Sequence, residues 1–226
     1  MRDEILSYWE MCARERKGLQ RGMYFGPSPS HSIVLMSRRK DAIYEDQLSD
    51  DGLSLTYEGH DVLRSSGFDP KEVDQSWVNS NGKPTENARF AGAAREVEQG
   101  NEQPSKVRVY EKLRDGVWSD RGLFELLSFQ YKRVGKRKVF RFQMRLTSEE
   151  STGATPASLE QLRVIPSWVK QEVFKRDKGR CVLCGAVDQL HFDHELPFSK
   201  GGSSITPKNV RILCARHNLK KGPKIE

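Results

Sequence analysis

Two closely spaced pairs of soft ligands near the C-terminus constrain this chain more than any other feature. Cys181-x2-Cys184 and Cys214-x2-His217 are separated by 29 residues. Two knuckles of this spacing supply the four ligands of tetrahedral zinc. All four positions are filled, so the ion is structural and leaves no place for substrate. The stretch SEESTGATPAS (148–158) is small and polar and carries a proline. It reads as a linker, and it divides the chain into residues 1–147, 148–158 and 159–226. The last part is too short to bury much core, a shortage that a structural metal makes good.

The other cysteine, Cys12, stands apart in an amphipathic stretch and reads as a core or surface thiol. Four cysteines in 226 residues make no disulfide scaffold. No apolar run approaches the ~20 residues of a membrane span, and MRDEILSYWEMCARERKG lacks the apolar core of a secretion signal. A cytoplasmic location is the default expectation. Residues 156–226 carry 13 basic side chains against 7 acidic ones, nearly all of the chain's +7 excess. A second basic block comprises Lys132, Arg133, Lys136, Arg137, Lys138, Arg141 and Arg145, with no acid between Leu126 and Ser148. Either block alone could be a solvated face; two of them, with a pI of 9.2, point to a phosphate backbone as partner.

Before the linker the texture is mostly strand: 32–36, 53–57, 106–113, 122–134 and 138–146 are rich in Val, Phe, Leu and Tyr. The last two flank Gly135-Lys136 as a hairpin. In the second of them Val139, Arg141, Gln143 and Arg145 alternate with Phe140, Phe142, Met144 and Leu146. Helices are expected at 86–99 and at the N-terminus. After the linker, Ser167 is placed to cap a helix that Gly179 ends. A knuckle, a hairpin turning at Gly201-Gly202 and a final helix follow.

The C-terminal residues RDKGRCVLCG, FDHELPFSKGG, KNVRILC and HNLKKG, in that order, resemble the HNH nucleases, a ββα-metal fold. The resemblance covers roughly 165–222. It implies that His194 is the general base, that Asp193 and Asn218 hold a catalytic divalent ion, and that Asn209 ties the loop between the two strands to the backbone. His217 stands where the family often has a fourth cysteine. The chemistry agrees: phosphodiester hydrolysis needs a base of near-neutral pKa and a cation for the leaving oxygen. A carboxylate and an amide oxygen are hard ligands suited to Mg²⁺ or Mn²⁺. His191 is the rival base. Neighbours on a strand point to opposite faces, so Asp193 and His194 share one site only through a bulge or bend, or else only one of them acts there.

Upstream, three stretches together resemble the SRA (SET- and RING-associated) domain, which recognises modified cytosine: 30–61, 82–94 and 106–129, within a span of about 20–147. The resemblance implies base flipping, with aromatic rings stacked on the base and a carboxylate accepting from its exocyclic amine. Carried over by residue, Tyr44 and Tyr57 are the stacking pair and Asp46 the edge reader, with Asp50 and Asp51 as rivals because the loop is one residue longer than usual. Two departures touch the pocket: Glu58 replaces a frequent Thr, and Ser119-Asp120-Arg121-Gly122 replaces Tyr-Asp-Gly. The loop 22–31 either lines the pocket or phosphate path or is a plain connection.

The combination is similar to the modification-dependent restriction endonucleases of bacteria. The expected fold class is α+β: an SRA/PUA-like β-barrel with flanking helices, plus a small zinc-stabilised HNH domain. The expected partner is double-stranded DNA containing 5-methylcytosine or 5-hydroxymethylcytosine, and cutting both strands calls for a homodimer. The alternatives are a non-cleaving reader of modified DNA, a modification-independent nickase, and a PUA-type domain that binds RNA.

Overall fold

The computed structural model describes residues 3–26, 30–39, 42–62, 69–147, 164–196, 204 and 206–221. The expected linker at 148–158 and the Gly201-Gly202 turn lie outside them. In chain order the elements are β1 (Glu4–Ser7), α1 (Tyr8–Glu15), β2 (Met23–Tyr24), β3 (Ser32–Met36), β4 (Gln47–Leu48), β5 (Ser54–Glu58), α2 (Glu86–Glu98), β6 (Lys106–Arg114), β7 (Val117–Val134), β8 (Arg137–Leu146), α3 (Ser167–Arg176), β9 (Leu190–His194), β10 (Val210–Cys214) and α4 (Ala215–Lys221). Among the described residues no helix is long and apolar enough to cross a membrane.

The architecture is mixed α and β, built on one ten-stranded sheet. Strand β7 organises it. Its first half pairs with β1 and β6, and its second half pairs with β8. From β6 the sheet continues through β3, the parallel neighbour, to β2; from β8 it continues through β5 to β4. The expected barrel is open in its hydrogen bonding, since among the described residues β2 and β4 each have one neighbour. Side chains join what the ladder leaves open. Met23 of β2 and Leu48 of β4 belong to one core with Leu55, Phe124, Phe140 and Phe142. Helix α2 fills that core with Phe90, Ala91 and Ala94. Its N-terminus is fixed by Thr85, whose Oγ1 accepts from the Ala88 amide at 3.2 Å.

The alternating rows of β8 are covered unequally. Phe140, Phe142, Met144 and Leu146 are buried, while the other row is covered at one end: Val139 and Arg141 are 1% and 5% exposed, Gln143 is half-buried and Arg145 is exposed. Arg141 therefore had to find partners inside.

The N-terminal segment departs most from expectation. Helix α1 is present, closed by a capping box between Ser7 and Glu10, but a strand precedes it. That strand, β1, pairs antiparallel with β7 on one side and with β9 on the other. The hairpin of β9 and β10 therefore continues the sheet of the N-terminal strands. Core follows ladder: Ile5 and Leu113 pack with Ile165, Val169, Val173, Phe192 and Val210.

A buried polar layer accompanies this junction. Arg121 donates to the Ile165 carbonyl at 2.8 Å and to Ser167 Oγ at 3.2 Å, and its Nε lies 3.3 Å from Glu111. Ser167 is thus the first residue of α3 rather than its cap, a position that Pro166 takes without a side-chain bond. Lys170, fully buried, places Nζ 2.5 Å from Asp3 and 2.9 Å from Ser119 Oγ. Burial, reinforced by the Arg121 charge, pulls its pKa down to about 8, against the opposing pull of Asp3 and Glu111. An unfolded lysine keeps its proton to about pH 10.4, so between these values the unfolded state binds more protons and stability rises with pH. Urea titrations of the native protein are expected to gain about 2 kcal/mol from this group between pH 8 and pH 10. In Lys170→Met that rise should be absent; an equal rise in the variant would assign it elsewhere.

Candidate functional site

The C-terminal ligand set is assembled by two turns. After α3, Gly179 adopts φ +61°, where a Cβ would meet the Phe174 ring at 2.7 Å, and the chain turns into Cys181. The Cys181 amide donates to the Ala186 carbonyl at 2.8 Å, and the Gly185 amide donates back to the Cys181 carbonyl at 2.8 Å. Cys214 ends β10 and His217 lies three residues into α4, a spacing that puts both on one side. The four donor atoms lie within 4.8 Å of one another. His217 Nδ1 is 3.5 Å from Cys181 Sγ and 3.4 Å from Cys214 Sγ, and Cys184 Sγ is 3.8 Å from Cys214 Sγ. Tetrahedral zinc with ordinary bond lengths requires S···S near ~3.8 Å and S···N near ~3.6 Å. The donors fit that ion. Burial raises the Cys181 thiol, but backbone amides and the His217 ring outweigh it and bring its pKa down to about 6, which favours the thiolate that zinc needs.

The residues assigned to catalysis lie along the same hairpin and α4, each with its own partners; on β9 it is Leu190 that faces Cys214. Asp193 and His194 are neighbours on β9 and are held by different groups. Asp193 Oδ2 lies 2.6 Å from the Lys221 ammonium and 3.6 Å from Arg211 Nε. His194 Nε2 lies 2.9 Å from Ser204 Oγ. Lys221 also donates to the His194 carbonyl. Asn209 exchanges two hydrogen bonds with Leu196: its Oδ1 accepts from the amide at 2.8 Å, and its Nδ2 donates to the carbonyl at 3.1 Å. Asn218 follows His217 on α4 and is half-buried. His191 is buried between β1 and β10, opposite Glu4 and Leu213, and burial lowers its pKa. Asp193 and Asn218 carry the kind of hard oxygens that Mg²⁺ or Mn²⁺ takes, and the Lys221 ammonium already neutralises Asp193. Lys221, Arg211 and Ser204 were not singled out from the sequence. Lys221 stands inside the HNLKKG motif, the one available signal.

The N-terminal residues converge on a histidine. Tyr44 stacks on His60, with ring centroids 5.2 Å apart and planes 4° from parallel. Tyr57, buried in the core, donates to the Gly22 carbonyl at 2.8 Å and meets His60 Nε2 at 3.1 Å. The two tyrosines thus contact His60, which lies in contact with both. Burial holds His60 neutral, with its pKa lowered to about 4. Its backbone is clamped by Asn87, which accepts from the His60 amide and donates to its carbonyl, each at 2.8 Å. The segment 22–31 contributes here: a Cβ on Gly22 would sit 2.5 Å from His60 Nε2. Gly22→Ala is expected to push the ring out of place and to destabilise the N-terminal part by about 1–3 kcal/mol in urea titrations; unchanged stability would mean that the ring has room to move.

Of the three candidate acids, Asp46 alone sits at this wall. Its oxygens accept from the Ser37 and Glu58 amides, both at 3.1 Å. Burial pushes its pKa up to about 7 despite those bonds. Asp51 turns back on its own loop, accepting from Ser49 Oγ and the Leu53 amide, and Asp50 is exposed. Behind the wall, Glu58 bonds Arg137 Nη2 at 3.0 Å, Arg141 Nη2 at 3.3 Å and the Glu45 amide at 2.9 Å. Asp61 pairs with Arg137 and with Lys71 at 2.9 Å, and Lys71 Nζ lies 4.6 Å from the centre of the Tyr44 ring. Two members of the expected phosphate-facing block, Arg137 and Arg141, are therefore internal ions. A separate cleft of about 540 Å³ is walled by Trp77, Tyr131, Val62, Val73 and Val78; its floor residue Gln75 donates to Asp61 at 3.0 Å.

No family model matches the chain, and no curated protein does. Among solved structures, the SRA domain of SUVH5 with hemimethylated CG DNA is 17% identical, with a TM-score of 0.45 over 63% of this chain and 84% of that one. The SUVH5 SRA domain bound to fully hydroxymethylated CG DNA is 18% identical, with a TM-score of 0.43 over 63% and 85%. The Type IV phosphorothioation-dependent restriction endonuclease ScoMcrA is 15% identical, with a TM-score of 0.41 over 99% of this chain and 52% of that one. These likenesses are distant, and the roles of this chain's residues have to follow from their own geometry.

Proposed function

We propose that this chain is a modification-dependent DNA endonuclease, with a base reader in residues 1–147 and an HNH nuclease in residues 159–226. The observation that carries the nuclease half is one hairpin with a zinc-fitting Cys₃His set at its Leu190–Cys214 end, Asp193 and His194 toward its other end, and Asn209 clasping the loop that leaves β9. His194 removes the proton of the attacking water, and Ser204 fixes its ring. The water oxygen bonds to phosphorus as the bond to O3′ breaks, leaving 5′-phosphate and 3′-hydroxyl ends. Asp193 and Asn218 would hold Mg²⁺ or Mn²⁺, whose chemistry is to offset charge on the leaving oxygen.

For the reader half, Tyr44, Tyr57 and Asp46 form the wall that takes a flipped 5-methylcytosine or 5-hydroxymethylcytosine. A base pocket needs a polar edge and flat aromatic faces; Tyr44 keeps its face against His60, whose ring has to leave for a base to stack there. Asp46 is the edge reader because it is the acid at that wall. One nuclease site cuts one strand, so a homodimer on DNA completes a double-strand break; sedimentation with DNA showing only monomer would oppose that part.

Cleavage of a duplex carrying one modified cytosine tests the whole. His194→Ala is expected to slow cutting by about 10²–10⁴-fold while DNA binding stays within twofold. Equal rates would remove His194 as the base. The Lys221 ammonium on Asp193 favours a second reading, a reader that does not cut. Tight modification-dependent binding with intact DNA under both metals would select it.

A further inference from the structure

We infer that β1 is a yoke that sets one fixed spacing between the recognised base and the cut phosphodiester. The inference rests on the reader-and-nuclease reading above and adds what positions the two sites. Two modules joined only by a flexible segment would cut over the range that the segment can reach. Here one four-residue strand is hydrogen-bonded to both. Ile5 is the register partner of Ser119 on β7 and of Leu190 on β9. With strands about 4.8 Å apart, those two positions lie about 10 Å from each other across β1.

The connection extends past the ladder. The Asp3 amide donates to the Asp120 carbonyl at 2.9 Å, and the Asp3 carbonyl accepts from the Phe192 amide at 3.1 Å. The Asp3 carboxylate holds Lys170 of α3, which in turn donates to Ser119. Ile5 is buried in the same core as Phe192 and Val210. A strand with both edges paired and both faces covered cannot slip by one residue without turning Ile5 and Leu6 to the wrong sides. β1 and Lys170 are thus positioning elements, and the segment 148–163 does not set the spacing.

Two measurements on the full chain test this. In the first, a protease site is placed after Thr155 and cut. The two fragments are expected to run as one species in gel filtration under native conditions. Ile5→Asp should let them separate, and Lys170→Met should do so at lower urea than the native sequence. Separation of the native fragments in buffer would overturn the inference, whatever the nuclease does.

In the second, 12 Gly/Ser residues are inserted at the same point. They add about 20 Å of reach, roughly six base pairs. On a duplex with a single modified cytosine, sequenced ends should fall at one offset on each strand, moved by no more than one nucleotide in the insertion variant. Ends spread over several nucleotides, or widened by the insertion, would overturn it. Fragments that stay together while no DNA is cut would reject the proposed nuclease and leave the yoke standing as the coupling of the two parts.

Discussion

Cys214→Ser is expected to cost the chain its zinc and the order of its C-terminal part together. Cys181 and Cys214 are buried members of the core that holds β9, β10 and α3, so a zinc held there and the packing would stand or fall together. Structural zinc in small modules contributes about 10–16 kcal/mol of apparent binding free energy, more than the whole stability of many domains. Replacing one thiolate by a hydroxyl forfeits a large share of it. Metal analysis should fall from one zinc per chain to near none, and the β9 and β10 amides should lose hydrogen-exchange protection. DNA cleavage should fall below detection. A strong chelator should reproduce the result in the native protein. Full protection without metal would show that Ile5, Leu113 and their neighbours hold the hairpin alone.

The second large effect lies under the wall formed by Tyr44, His60 and Asp46. Arg137→Met is expected to destabilise the N-terminal part by roughly 3 kcal/mol, because it removes one of the two cations from each of two carboxylates at once, leaving Arg141 on Glu58 and Lys71 on Asp61. Glu58 and Asp61 both lean on that guanidinium. The Arg137 and Lys71 bonds hold the Asp61 pKa below its ordinary value although burial opposes them. Glu58 joins the network to the Asp46 loop through its own amide and that of Glu45, so binding of modified DNA should weaken as well. Adding Glu58→Gln to Arg137→Met should recover part of the stability, since a buried charge that has lost one of its two cations disappears. A loss under 1 kcal/mol in urea titration would mean that water reaches this network.

Much of this was legible in the chain itself. β3 runs Ser32–Met36 as the Val/Ile/Leu run suggests, and the hairpin of β7 and β8 turns where Gly135-Lys136 stands. The zinc ligands were legible because metal chemistry imposes spacing locally. What escaped depends on distant partners. EILS becomes β1 only because β7 and β9 lie on either side of it; nothing within four residues announces that. Arg137 and Arg141 read as surface charge because their acids, Glu58, Asp61 and Glu45, are more than seventy positions away. His60 stood two residues after Glu58 unremarked, since a lone histidine after a strand carries no signal until Tyr44 stacks on it. Ser167 has the composition of a cap but spends its hydroxyl on Arg121.

The most direct measurement is cleavage of one plasmid prepared in three forms: unmodified, with 5-methylcytosine and with 5-hydroxymethylcytosine. Each is incubated with Mg²⁺ or Mn²⁺, with His194→Ala and Tyr44→Ala run beside the native protein. Cutting is expected only of a modified form, lost in the first variant and no longer selective or efficient in the second. Equal cutting of all three forms would contradict the reader, and intact plasmid under every condition would contradict the nuclease.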